Sequence, residues 1–242
     1  MPQPGRACSG YVLQVEEELT LIDCGGGVSS AFLNFGFSPL QVKQVFISHT
    51  HPDHVSDLPL FIQMVYLAGQ KEPLDIFLPE EFVPSFENYI RALYLLPEKL
   101  PFRLNINSYQ DGYIFKGSFK LEAFGNNHLK GYAPFIEKYN LPNKMQCHSF
   151  LIEVAGKTLL YSADVYDFED IKEHLTGQDY VFIEATHLDF DQFIKYVPQV
   201  NIGQYVITHL GSPVEIEGLG KKIADSGLKN IRLAKDGLKI AL

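Results

Sequence analysis

The chain has 242 residues, 46% of them hydrophobic and 20% charged, which is enough apolar surface to exclude an intrinsically disordered chain. Lys plus Arg number 20 against 29 Asp plus Glu, and a formal net charge of -9 argues against extended nucleic-acid binding. Three cysteines, none in a C-x-x-C pair, argue against a disulfide framework or a cysteine zinc ribbon.

In chain order, the opening Met1-Pro2-Gln3-Pro4-Gly5-Arg6 lacks the apolar core of a signal peptide, so a cytoplasmic protein is expected. Residues 11–15 and 19–23 are apolar runs parted by Glu16-Glu17-Glu18, a predicted hairpin. Cys24-Gly25-Gly26-Gly27 ends the second run, and residues 28–35 predict a short helix closed by Gly36. Residues 45–48 predict a buried strand that delivers the histidines after it on a loop with Pro52. Residues 56–69 predict a helix with Leu58, Phe61, Ile62 and Val65 on one face. The apolar stretch 58–68 inside it, broken by Pro59 and Gln63, is too short to span a bilayer, and no membrane association is expected.

Residues 74–78 predict a strand and 80–96 a helix stopped by Pro97. Residues 102–106, 113–115 and 119–124 predict the strands of a meander. Residues 126–146 are polar, contain Pro and Gly, and interleave Tyr132, Phe135, Ile136 and Tyr139, which predicts a functional loop or lid with a helical turn. Residues 149–154 and 158–161 predict a hairpin over Ala155-Gly156-Lys157. Helices at 168–175, 190–196 and 216–224 then alternate with strands at 180–183, 204–207 and 230–234. No Pro/Ser-rich linker divides the chain, so residues 1–242 read as one domain of two face-to-face sheets with helices outside.

Ser48-His49-Thr50-His51-Pro52-Asp53-His54 concentrates three histidines and a carboxylate in one short run. Such donors suit zinc, and more loosely manganese, iron or nickel. On an extended segment His49 and His51 share one side, and a turn at Pro52 swings Asp53 and His54 towards a second position. Chance produces this spacing in roughly one of two thousand chains of such composition. Gly25-Gly26-Gly27 lacks both G-x-G-x-x-G spacing and a following Gly-Lys-Ser/Thr, so nucleotide binding of that type is not expected.

The H-x-H-x-D-H run after an apolar strand, with Leu21-Ile22-Asp23-Cys24-Gly25 before it, resembles the metallo-β-lactamase superfamily. Residues 7–11, the Asp23-Cys24-Gly25 turn, Phe46-Ile47-Ser48-His49 and Pro73-Leu74-Asp75-Ile76-Phe77 are similar to its ribonuclease Z-like branch. Later landmarks follow in order: His128, Asp164 in Tyr161-Ser162-Ala163-Asp164, His209 in Ile207-Thr208-His209, and Ala234-Lys235-Asp236-Gly237. The resemblance implies an α/β (α+β) fold, the four-layer αββα sandwich of the metallo-β-lactamase fold. It also implies two divalent metal ions, zinc foremost. His49, His51 and His128 would hold one; Asp53, His54 and His209 the other; Asp164 would bridge them. Two such cations outweigh Asp53, Asp164 and a hydroxide, which suits a small anionic substrate such as a phosphodiester. Asp53 would accept a proton from the attacking water.

His128 follows a predicted strand, whereas His148 abuts the strand starting at Ser149, so His128 is favoured as ligand and His148 as a supporting or core residue. His187 emerges from a strand end in Glu184-Ala185-Thr186-His187. Ribonuclease Z-like proteins carry a catalytic histidine before the glutamate of a related element. Here it comes after, so both a proton-donating role and a buried hydrogen-bonded one stay open. His174 reads as a surface cation at a helix carboxyl terminus, and Asp23 as an acceptor that shapes the histidine loop. Tyr132 and Phe135 are candidates for stacking on substrate, or for packing their loop.

The expected reaction is metal-dependent hydrolysis of a phosphodiester. The interval from His54 to His128 shows no insertion like the RNA-holding arm of the transfer-RNA processing enzyme. The alternatives are hydrolysis of another ester, a lactone or a sulfate, or metal-containing binding without turnover. A homodimer is compatible with all of these.

Overall fold

The computed structural model describes residues 3–242; Met1 and Pro2, where the signal-peptide reading begins, lie outside the described residues. The chain divides into two units, Met1–Gln110 and Asp111–Leu242, and each builds one sheet.

Unit 1 holds β1 (Tyr11–Val15), β2 (Glu18–Ile22), α1 (Val28–Asn34), β3 (Val42–Phe46), α2 (Pro52–Val55), α3 (Leu58–Leu67), β4 (Leu74–Pro79), α4 (Val83–Ala92) and β5 (Leu104–Tyr109). The sheet runs in that strand order; β1 and β2 are an antiparallel hairpin and the later pairs are parallel. Parallel neighbours need crossovers, and the helices supply them. Leu58, Phe61, Ile62 and Val65 of α3 are buried, as the period predicts, together with Leu19, Leu21, Val45, Leu74, Ile76 and Leu78 of the strands. Phe32 of α1 meets Phe61 edge-on at 5.2 Å between ring centroids, a favoured aromatic geometry.

Unit 2 holds β6 (Ile114–Lys116), β7 (Lys120–Gly125), α5 (Ala133–Tyr139), β8 (His148–Val154), β9 (Lys157–Tyr161), α6 (Glu169–Lys172), β10 (Tyr180–Glu184), α7 (Phe190–Tyr196), β11 (Gln204–Thr208), α8 (Pro213–Ser226) and β12 (Ile231–Leu233). Its sheet order is β12-β11-β10-β9-β8-β7-β6, antiparallel from β6 to β9 and parallel from β9 to β12. Leu160, Val181, Ile183, Tyr205 and Ile207 form its core with Phe168, Ile171 and Phe193 of the crossovers. Ser212 and Glu215 close a reciprocal capping box at the start of α8, and Gly227 ends it in the left-handed conformation.

Two expectations are corrected. The predicted meander does not exist: β5 pairs in parallel with β4 in unit 1, while β6 and β7 pair with each other in unit 2. The local pattern identifies a strand but carries nothing about its partner. The helix predicted over 56–69 forms as α3 over Leu58–Leu67, and the segment expected to be a loop at Pro52 instead turns helical as α2, Pro52 starting its first turn. Asp57 is buried there, and its carboxylate accepts from the Ser29 amide at 2.6 Å.

Candidate metal centre

In unit 1 the histidine run leaves β3 and turns into α2, with Asp53 in the first helical turn. His49 lies between two others: its ring centroid is 4.9 Å from that of His51 and 4.2 Å from that of His54. The buried Asp23 organises the group. Its Oδ1 accepts from the Ser48 amide at 2.7 Å, and its Oδ2 accepts from the Ser48 hydroxyl at 2.9 Å and pairs with His54 Nδ1 at 2.7 Å. Since Ser48 Oγ spends its proton on Asp23, it is left to accept from His49 Nδ1, 3.1 Å away. One carboxylate therefore holds two imidazoles at Nδ1, so that Nε2 is the nitrogen each could offer to a metal; that of His54 lies 3.4 Å from Ser9 Oγ. Asp23 thus supports the loop as expected, and its partners include side chains as well as the backbone.

The Asp23-Cys24-Gly25 turn grips the same loop from its backbone. Cys24 N donates to His54 O at 2.7 Å, and Asp57 N donates to Cys24 O at 3.0 Å. A Cβ on Gly25 would stand 1.9 Å from Asp53 O, so only glycine admits this approach. Burial pushes the thiols of Cys8 and Cys24 upward.

In unit 2 the donors arrive one at a time from strand ends. Asp164 follows β9 and is 2% exposed; His209 follows β11; His187 follows β10; His128 opens a short 3-10 turn after β7. Asp23, Ala163 and His209 all have positive φ, at 59°, 51° and 48°, so the backbone bends sharply as it leaves β2, β9 and β11. Such left-handed non-glycine residues are costly and cluster at functional sites. His128 Nδ1 faces Val165 O at 3.4 Å. His209 Nδ1 lies 3.0 Å from Thr186 Oγ1, whose proton goes to His209 O at 2.7 Å, so Thr186 accepts from the ring. The buried Glu184 accepts from the amides of Thr186 and His187 at 2.6 and 2.9 Å and meets His187 Nδ1 at 3.0 Å.

These histidines repeat the unit 1 arrangement, with Nδ1 at a protein acceptor. The donor spacing then tests the fit to a metal. His128 Nε2 and His209 Nε2 stand 3.7 and 3.5 Å from Asp164 Oδ2. That exceeds a good hydrogen bond. Two donors on one tetrahedral zinc stand roughly 3.4 Å apart, given zinc–donor bonds of about 2.0–2.2 Å. The unit 2 set therefore fits a divalent cation with nitrogen and carboxylate ligands. Asp164, His187 and His209 each offer an atom within 4.8 Å of the others, so His187 stands beside the ligand pair.

The remaining predicted residues are placed as follows. His148 is buried at the start of β8, opposite Gly125. His174 is not a bare surface cation: its ring lies on Phe124, 3.9 Å between centroids. The 126–146 excursion is more helical than expected, with a 3-10 turn over His128–Tyr132 leading into α5. Tyr132, Phe135 and Tyr139 on it are exposed. Ser48, Asn126 and Thr186, which support candidate ligands, carry no sequence signal beyond being polar residues beside strand ends. Asn126 Oδ1 accepts from His128 N at 3.0 Å, and its Nδ2 donates to Asp164 O at 3.0 Å.

Known proteins align with this architecture. Ribonuclease Z of Pyrococcus abyssi is 28% identical over 78% of this chain and 72% of its own length. The metallo-β-lactamase fold protein YhfI of Bacillus subtilis superposes with a TM-score of 0.74 at 18% identity, covering 98% of this chain and 93% of that one. Human tRNase Z, short form, superposes with a TM-score of 0.71 at 19% identity, covering 99% and 94%. The chain has the metallo-β-lactamase fold, as the resemblance implied, and ribonuclease Z-like relatives. Residues 7–192 match the family profile described as anti-Pycsar protein Apyc1, and the chain belongs to that family.

Proposed function

We propose that the chain is a dinuclear metal-dependent hydrolase of small phosphodiesters, with residues 1–242 acting as one domain. The observation that carries the reading is the shared orientation of His49, His54, His128 and His209, each held at Nδ1 by a protein acceptor. In this reading His49, His51 and His128 would hold one cation and Asp53, His54 and His209 the other, with Asp164 a ligand to both. Zinc suits the donor set best, and manganese, iron or nickel are compatible.

When bound, the cations supply Lewis acidity towards the phosphoryl group and bring the pKa of water towards neutrality. The chain's own residues do the rest. Asp53 accepts the proton of the attacking water. His187, with its side chain 37% exposed and Nδ1 committed to Glu184, presents Nε2 to donate a proton to the leaving oxygen. Tyr132 and Phe135, on the excursion that begins at His128, contact the organic part of the substrate.

A compact substrate is favoured over a long RNA. The net charge of -9 repels an extended phosphate backbone, whereas two cations leave the local centre positive. A cytoplasmic location completes the reading; among the described residues no helix is long and apolar enough to cross a membrane.

The test is a substrate panel for the metal-reconstituted protein: bis-p-nitrophenyl phosphate, a cyclic nucleoside monophosphate, an aryl ester, a lactone and a precursor transfer RNA. Turnover of the small phosphodiesters, lost on chelation and restored by metal, is expected. Efficient site-specific processing of the transfer RNA would overturn the preference for small substrates. Absence of any turnover by a fully loaded protein would make it a binder.

A further inference from the structure

The segments that carry His128 and Asp164 are tied together more thoroughly than two neighbouring loops require. Asn127 N and Tyr166 N both donate to Asp170 Oδ2, at 3.2 and 2.8 Å, and Asn127 Nδ2 donates to Asp170 Oδ1 at 2.6 Å. Asn127 immediately precedes His128, and Tyr166 lies two residues beyond Asp164. Lys130 adds a second tie, its Nζ 3.3 Å from the centroid of the Tyr166 ring. Asp170 is itself held in place, because its helix α6 is anchored by the buried side chains of Phe168 and Ile171.

We propose that Asp170 is a positioning residue for the metal centre: its carboxylate clasps the His128 segment to the Asp164 segment and so fixes the co-ligand spacing of His128 and Asp164. This rests on the metal reading given above. Three donors on one carboxylate make the clasp a rigid bracket. Asp170 touches neither ligand side chain, so its effect on the metal runs wholly through backbone placement. Outer-sphere groups of this kind alter metal affinity by about 10- to 100-fold.

The experiment uses cobalt(II) as the probe, in the full chain. Affinity is read by competition with a chromophoric chelator, coordination geometry by the visible absorption of the bound cobalt, and integrity by the melting temperature of the metal-free protein. Asp170→Ala is expected to weaken cobalt binding at least about 10-fold and to change the absorption bands, while the metal-free melting temperature moves little. Asp170→Asn keeps one acceptor oxygen for the two amides, and is expected to recover part of the affinity and the spectrum. The exposed neighbour variant Glu169→Gln, whose residue pairs with Lys172, should behave as wild type.

Wild-type affinity and spectrum in Asp170→Ala would overturn the proposal. So would an affinity loss matched by a collapse of the metal-free melting temperature that Asp170→Asn does not reverse, since Asp170 would then be an ordinary structural brace. If the wild-type protein itself takes up no cobalt, the metal reading fails first and the proposal with it.

Discussion

The two units support their candidate ligands by opposite means. In unit 1 the candidate ligands are contiguous in sequence and their support is shared: Asp23 holds His54 directly and His49 through Ser48. In unit 2 the candidate ligands His128, Asp164 and His209 are scattered over three strand ends, and each histidine has its own acceptor: Val165 O for His128 and Thr186 for His209. A contiguous motif can be braced from one point. Ligands that meet only through the fold need a brace at each point of arrival. Unit 1 should accordingly fail as a whole when its one brace is removed, while unit 2 should fail ligand by ligand.

The largest effect expected sets the ceiling for this comparison. Asp164→Ala removes the carboxylate that stands at co-ligand distance from both His128 and His209. Activity on a small phosphodiester should fall by at least about 10³-fold, and elemental analysis should find less bound metal. Full metal content with near-normal turnover would mean that unit 2 contributes no ligands.

Next in size is His187→Gln. A proton donor that is not a ligand should cost on the order of 10²-fold in kcat while leaving metal content unchanged. A substrate with a good leaving group, such as p-nitrophenolate, should suffer less than an alkyl phosphodiester, because it needs no proton. Equal losses on both substrates would remove His187 from the chemistry.

The direct test of shared against separate support pairs two variants. Asp23→Asn disturbs both His49 and His54 and should weaken metal binding by about 10- to 100-fold. Thr186→Val frees only the His209 ring and should stay near the low end, about 10-fold. Metal titration by calorimetry measures both, and the reverse ranking would break the comparison.

The smallest effect belongs to the excursion. Replacing residues 132–140 by a short Gly-Ser bridge removes Tyr132, Phe135 and Tyr139 but leaves His128. KM should rise several-fold with metal content intact, as for a segment that covers substrate without touching the ligands. Loss of metal on this deletion would make the segment part of the ligand scaffold.

The same contrast explains what the sequence made legible. The His49–His54 run declares itself because its chemistry is packed into one turn, and α3 because Leu58, Phe61, Ile62 and Val65 follow the helical period. Asp164 is an unremarkable aspartate after a strand until the superfamily resemblance singles it out. The β5 partner could not be read, since pairing with β4 rather than β6 is decided by the crossover through α4. The start of α8 was placed late, at residue 216, although Ser212, Pro213 and Glu215 carry a complete amino-terminal signature. Ser48, Asn126, Thr186 and Asp170 were invisible for a deeper reason: each has a hydrogen-bond partner that only the fold brings near, Asp23 for Ser48, Asp164 for Asn126, His209 for Thr186 and Asn127 for Asp170.

The proposal that the centre is dinuclear is tested most directly by reconstituting the protein with manganese(II) and recording its electron paramagnetic resonance spectrum. Two ions in one centre stand about 3.5–4 Å apart, close enough for their spins to couple through shared ligands. The account predicts an exchange-coupled signal that accounts for two bound ions per chain, collapsing in Asp164→Ala. A spectrum of isolated, uncoupled manganese at full loading would contradict it.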